Sequence, residues 1–287
     1  MGKDILARLE EQSRGFSKGQ RLISKYITEN YDKAAFMTAG KLGKTVGVSE
    51  STVVRFATEL GYDGYPGMRK AMQEMVRSRL TSVQRIAVAQ DMLDGSNVLK
   101  YVMSSDLDKL QGTLEELDRG SFDEAVNAIE NSGSLYIVGM RSSAALASFL
   151  SFYMNFLLDS VRLIHDTTAN EVYEQIMHIG PGDVYFGISF PRYSSSSLKA
   201  MKFAKSRGAT VVALTDNPTS PFAAIADINL YAKSDMVSFV DSLVGPMSVL
   251  NALIVAVAAR KQETLSQTFG YLEGLWSEYD VFTTDKS

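Results

Sequence analysis

Two short segments combine an arginine with clustered hydroxyls: Gly139-Met140-Arg141-Ser142-Ser143 and Ser189-Phe190-Pro191-Arg192-Tyr193-Ser194-Ser195-Ser196-Ser197. Each follows an apolar run of strand length and leads into a helical run, so each stands at a helix N-terminus. Free N–H groups and a partial positive charge favour an anion there. Serine adds donors, and arginine adds a planar fork that matches phosphate or carboxylate. Gly139, Arg141, Ser142, Ser143, Ser189, Arg192, Ser194 and Ser195 therefore form a candidate binding site for a small anionic effector, most naturally a phosphate. Helix capping accounts for some of these serines, but four in succession exceed what one cap requires.

A second set of residues lies in Thr38 to Gly61, TAGKLGKTVGVSESTVVRFATELG. Thr38 suits the N-cap of one short helix, Gly47 the tight turn after it, and Ser49 the N-cap of a second, with Thr52 three residues on. Leu42, Val46, Val48, Val53, Val54, Phe56, Ala57 and Leu60 are the inward set of such a helix-turn-helix. Ser49, Glu50, Ser51, Thr52 and Arg55 are left to meet base edges, and an arginine there can form the bidentate contact to guanine. Lys41 and Lys44 on the preceding helix are placed to reach phosphates, as are Lys18, Arg21, Arg69 and Lys70. The implied partner is double-stranded DNA. An ordinary helical hairpin shares the apolar pattern, and charge separates the two readings. Residues 1–80 carry a net charge of +5 and the remainder −9. A basic small domain on an acidic larger one suits a DNA-binding head on a body with another task.

Composition narrows what else the chain can do. With no cysteine, thiolate metal sites and disulfides are excluded, and His165 and His178 alone make a histidine metal site a poor expectation. No metal and no cofactor is expected. The first residues, MGKDILARLEEQ, are charged throughout and resemble no secretion signal, so a cytoplasmic protein is expected. Ser242 to Ala259 is long and apolar, but Pro246 and Asn251 interrupt it, so it reads as a buried helix and no membrane partner is expected.

The elements that must position these residues follow from periodicity. SKGQRLISKYITENY (17–31) is an amphipathic helix that Ser17 can cap, with Leu22, Ile23, Tyr26, Ile27 and Tyr31 on one side. GYDGYPG reads as a loop before a helix from about Met68 to Leu80. Residues 81–120 read as a helical linker. Five strand-length runs then follow, at 134–139, 161–165, 183–189, 210–215 and 227–232. Helical stretches separate them, at 142–158, 169–179 and 197–208, and a last helix begins near Val237. Such alternation predicts a parallel sheet covered on both faces, with ligands beyond the carboxyl ends of its strands.

The order of parts resembles the RpiR/MurR family of bacterial transcription regulators, in which an N-terminal helix-turn-helix precedes a sugar isomerase (SIS) domain. LISKYITENY and TAGKLGKTVGVSESTVVRFATELGYDGYPGMRKAM carry the likeness in the head. LYIVGMRSSAALASFL and PGDVYFGISFPRYSSSSLKAMKFAKSRGATVVALTDNPTSPFAAIADINLY carry it in the body. The resemblance implies an all-α helix-turn-helix head over 1–80, a helical linker over 81–120 and an α/β three-layer SIS domain over 121–287 with a five-stranded parallel sheet. It also implies a homo-oligomer, dimer or tetramer, that binds operators near carbohydrate genes and senses a phosphorylated sugar or related derivative. Gly139 and Ser143 match the first phosphate loop, G-x-G-x-S, while Arg141 replaces its second glycine. Ser189 and Ser194 match the other loop, S-x-S-G-x-T, while Pro191 and Arg192 stand where Ser-Gly belongs. An anion would then be held by side chains rather than by a glycine cradle. SIS domains also occur in sugar-phosphate isomerases, for which Glu171, Glu174, His165 and His178 are the nearest acid–base groups. The basic head is superfluous to such an enzyme, and no catalytic residue is assigned.

Overall fold

Helix caps and apolar spacing in the first eighty residues build six helices: α1 (Ile5–Gln12), α2 (Lys18–Glu29), α3 (Tyr31–Ala34), α4 (Ala39–Val46), α5 (Glu50–Glu59) and α6 (Gly64–Arg79). The computed structural model describes residues 5–79, 81, 83–86, 97–165, 171–236 and 240–282. The chain divides into two compact units, residues 1–102 with 235–241, and residues 103–234 with 242–287.

In the first unit Ser17 caps α2 through a full capping box with Gln20, and Thr38 and Ser49 cap α4 and α5. Gly47 ends α4 at φ 77, the left-handed geometry that glycine adopts without steric cost. Ile23, Ile27, Leu42, Val53, Phe56, Leu60, Met68 and Met72 are fully buried among these helices. The sequence expectation needs amending at three points. Val54 is 38% exposed and Leu22 44%, so neither belongs to the inward set. At 100° per residue, 53, 56, 57 and 60 share one face of α5, and 54 falls outside it. The GYPG stretch is not loop but the first turn of α6, where Pro66 forgoes an N–H that the first turn leaves unpaired anyway.

The second unit holds a five-stranded, all-parallel sheet in the order β2-β1-β3-β4-β5. Its strands are β1 (Leu135–Gly139), β2 (Val161–Ile164), β3 (Val184–Ile188), β4 (Thr210–Thr215) and β5 (Ile228–Tyr231). Alternate residues of the central strands β1, β3 and β4 enter different cores. Leu135 and Ile137 pack with α8 (Arg119–Glu130), α9 (Ser143–Met154) and α12 (Val244–Arg260). Tyr136 and Val138 pack with α10 (Glu171–Ile176) and α11 (Ser195–Ser206) on the other side. The result is three layers around two apolar cores, as the apolar central strands, buried on both faces, require.

α7 (Val98–Glu116) begins within the stretch assigned to the linker, and from Met103 onward it belongs to the second unit. The Lys233 amide donates to Thr113 Oγ1 at 2.9 Å and Ser242 Oγ to Asp106 Oδ1 at 2.6 Å, which fastens α7 to the body. The last apolar helix begins at Val244 rather than near Val237 (237–239 lie outside the described residues), and α13 (Gln262–Glu278) follows it at 96°. Asn251 on α12 is exposed, which meets its need for hydrogen bonds without a buried partner. Among the described residues no single helix is long and apolar enough to cross a membrane. The helix expected over 169–179 is seen as Glu171–Ile176, its first residues lying outside those described.

Candidate functional site

The outer side of α4–α5 is built by its caps. The Ser49 hydroxyl accepts from the Thr52 amide at 3.3 Å and lies 2.8 Å from the Thr52 hydroxyl and 2.9 Å from that of Ser51. Lys41, Lys44, Ser49, Glu50, Ser51 and Arg55 are exposed and Thr52 is half-buried, so each side chain expected to meet DNA reaches solvent. Loss of the cap bond in Ser49→Ala is expected to lower the melting free energy of the head by about 1 kcal/mol, measured by urea denaturation of the full chain.

The two arginine–serine loops come together because of strand order. The chain runs from β1 outward to β2, then crosses to β3 on β1's other side, so β1 and β3 flank the topological switch point. Open parallel sheets bind ligands in that crevice. Gly139 pairs with Ile188, which puts Met140 and Ser189 side by side at the carboxyl edge, and Ser194 Oγ donates to Met140 Sδ at 3.4 Å.

Within this edge the residues divide by duty. Gly139 provides clearance: a Cβ there would lie 2.4 Å from the Ser143 carbonyl oxygen and 2.9 Å from Ala147 Cβ, so only glycine lets α9 cross this closely. Ser143 and Ser189 are buried. The Ser189 hydroxyl accepts from the Ser194 amide at 3.4 Å, and Ser194 caps α11 by accepting from the Ser197 amide at 3.2 Å. Arg141, Ser142, Arg192 and Ser195 are exposed at the rim. Ser142 holds the N-cap position of α9 without making a side-chain cap bond. Neither Arg141 nor Arg192 has an ion-pair partner among the described residues. Arg141 also sits at φ 57, a left-handed geometry that costs a residue with a Cβ about 1–2 kcal/mol. His165, His178 and Glu174 are exposed, and among the described residues no three His, Asp or Glu side chains gather to hold a metal.

The comparisons with known proteins divide the chain in the same way. The model for a "Helix-turn-helix domain, rpiR family" matches residues 3–79, and that for a "SIS domain" matches residues 128–256. The chain belongs to the RpiR family of transcriptional regulators. It is 25% identical over 265 residues to an HTH-type transcriptional regulator of Caldanaerobacter subterraneus, covering 90% of this chain and 92% of that one. It is likewise 25% identical over 269 residues to the HTH-type transcriptional regulator HexR of Pseudomonas aeruginosa, covering 90% of each. Among solved structures, the sugar isomerase domain of an RpiR transcription factor from Sphaerobacter thermophilus is similar with a TM-score of 0.59 at 29% identity, over 62% of this chain and 99% of that one. The Vibrio vulnificus NanR protein complexed with ManNAc-6P shares the fold with a TM-score of 0.58 at 22% identity, over 94% and 98%.

This RpiR chain has a further polar group at the same edge that its sequence did not single out. Asp216, 2% exposed after β4, accepts from the Tyr193 hydroxyl and the Asn217 amide, each at 2.7 Å. The Thr215 hydroxyl lies 3.2 Å from Asp216 Oδ1 and 2.8 Å from Ser220 Oγ. Tyr193 thereby ties the β3 loop to the end of β4. An acidic residue directly after a strand with an apolar centre, TVVALT, was the available signal. Beneath it, burial pushes the Tyr185 phenol far above its usual pKa, so it stays protonated and donates to the Ser197 carbonyl at 3.2 Å.

Proposed function

We propose that this RpiR regulator binds operator DNA through α4 and α5 and changes its affinity when a small anion, a phosphorylated sugar or related derivative, occupies the β1/β3 crevice. The observation that carries the reading is the pair of unpaired arginines at the switch point, one of them, Arg141, held in a strained backbone geometry. Strain of this kind persists where function compensates for it. Two guanidinium groups on adjacent loops repel each other until an anion lies between them. The amides of Ser195 and Ser196, at the start of α11, have no acceptor among the described residues and add donors on the same side. That NanR was solved with ManNAc-6P supports the choice of a sugar phosphate. Lys41, Lys44, Ser49, Glu50, Ser51, Thr52 and Arg55 are the proposed DNA contacts, and the genes controlled belong to carbohydrate metabolism.

The chain acts as a binding protein in the cytoplasm rather than as an isomerase. The acid–base groups that the sequence offered, His165, His178 and Glu174, are exposed, and the buried carboxylate at this edge, Asp216, is engaged by the Tyr193 hydroxyl and the Asn217 side-chain amide. Sequencing the genomic fragments that the purified protein retains tests the regulator reading. Recovery of a repeated two-fold motif upstream of carbohydrate genes is expected, and retention of unrelated fragments would sink it.

The proposed active form is a homodimer or a multiple of it, since one head covers one half-site and two-fold readers span half-sites about 34–36 Å apart. Phe152 on α9 and Val255 on α12 are 61% and 67% exposed, and Phe152 stands edge-on to Tyr153 and Phe156. Such apolar exposure on helices of the body suits an interface with a second copy. Light scattering at micromolar concentration is expected to give at least a dimer, and Phe152→Asp to shift it toward monomer. A wild-type monomer, with and without DNA, would refute this.

A further inference from the structure

Beside the recognition helix the first unit contains a cleft of about 460 Å³. It lies between the turn at Ser13–Gly15, the start of α2 and the flank of α5, and its lining includes Arg14, Arg21, Arg55, Thr52, Gln20 and Glu59. The lining thus carries three arginines and one glutamate. That carboxylate is engaged: Gln20 Nε2 donates to Glu59 Oε2, while Gln20 Oε1 accepts from the Ser17 amide at 2.8 Å. Arg21 Nε donates to the Phe16 carbonyl at 2.9 Å, which fixes its guanidinium on the cleft wall. Arg14 and Arg55 have no ion pair or side-chain hydrogen bond among the described residues.

The cleft is a built feature of the head rather than a chance of side-chain placement. Phe16 is buried and meets the Phe56 ring edge-on, with centroids 5.2 Å apart, so the segment before α2 is nailed to the core face of α5. A Cβ on Gly19 would lie 3.4 Å from Val48 and 3.7 Å from Thr52, which shows how closely the start of α2 lies against the start of the recognition helix.

We propose that this cleft seats a backbone phosphate of the operator duplex, so that Arg14 and Arg21 extend the DNA contact beyond the helix-turn-helix. The inference rests on the reading of α5 as the recognition helix. A helix lying in a major groove about 12 Å wide has a phosphate backbone along each flank. A cationic cleft on one flank of that helix, opening beside the exposed Arg55, therefore faces phosphates when the helix is seated. Phosphate oxygens match paired guanidinium forks and hydroxyls, which are the groups present. Such a contact fixes position on the duplex and carries no base preference of its own.

The test measures duplex binding by the full chain against salt concentration, on a retained genomic fragment and on a random duplex of equal length. Arg14 is exposed and its side chain makes no bond among the described residues, so Arg14→Gln is expected to leave the fold unchanged, which a thermal melt verifies. Each lost phosphate contact lowers the slope of log K against log salt by about 0.9. Arg14→Gln is therefore expected to reduce the slope by about one unit and weaken both duplexes by the same factor. Arg21→Lys keeps the charge but loses the Nε–Phe16 bond, and is expected to keep the slope while losing part of the affinity. Wild-type slope and affinity in Arg14→Gln, with Lys44→Ala still weakening the complex, would overturn the cleft and leave the recognition helix standing. A wild-type chain that retains no duplex even at low salt would overturn both. Inorganic pyrophosphate without DNA is the control for a free ligand: saturable binding lost in Arg14→Gln, with duplex binding intact, would also overturn the proposal.

Discussion

Arg192→Ala is expected to abolish the response of the DNA complex to effector while leaving its affinity without effector nearly unchanged. Arg192 is exposed at the rim and has no ion-pair partner among the described residues, so truncating it leaves no buried group unsatisfied. An effector shifts an equilibrium only by its differential affinity for two states, and such couplings typically amount to about 1–3 kcal/mol, or about 5–150-fold. That whole factor is expected to collapse toward one. The measurement is a titration of the operator complex with sugar phosphates and sugar acids, first on wild type to find the active compound. Arg192→Ala responding at wild-type concentrations would place the pocket elsewhere. Arg141→Gly is the companion variant, because it removes the guanidinium and relieves the positive φ together. It is expected to lose the response while melting no lower than wild type, an outcome that a purely structural role for Arg141 does not produce.

Arg55→Ala is expected to weaken operator binding by about 1–3 kcal/mol and to erode the preference for operator over random duplex. The fold is indifferent to this side chain, which is exposed and bonded to nothing among the described residues. Lys44→Ala gives the contrasting pattern: both duplexes weaken alike and the salt slope falls by about 0.9. Equal operator affinity in Arg55→Ala and wild type would displace the recognition helix from α5.

The pairing of the two loops shows where reading the chain by local pattern stops. Ser189 and Ser194 were legible as polar loop residues after a strand, yet their hydroxyls are spent on the loop and on the α11 cap. Gly139 was legible as part of a phosphate motif, yet its hydrogen is needed because α9 passes over it. Asp216 and Tyr193 lie in different loops 23 residues apart, and nothing in either loop announces their bond. Arg14 was not singled out, because its turn carries no periodicity of its own.

What the sequence determined by itself was local: the caps at Ser17, Thr38 and Ser49, the left-handed turn at Gly47, the positions of five strands and the opposite charges of head and body. Each of these depends on a residue and its neighbours within one or two turns, through a hydrogen bond to a nearby amide or through a 3.6- or 2-residue period. Tertiary structure alone decided that β1 lies between β2 and β3, that Arg141 adopts a positive φ and that Arg14, Arg21 and Arg55 line one cleft. Those outcomes depend on which apolar faces find each other across long stretches of chain. Packing energy is non-directional and is shared over many contacts, so no single residue records it.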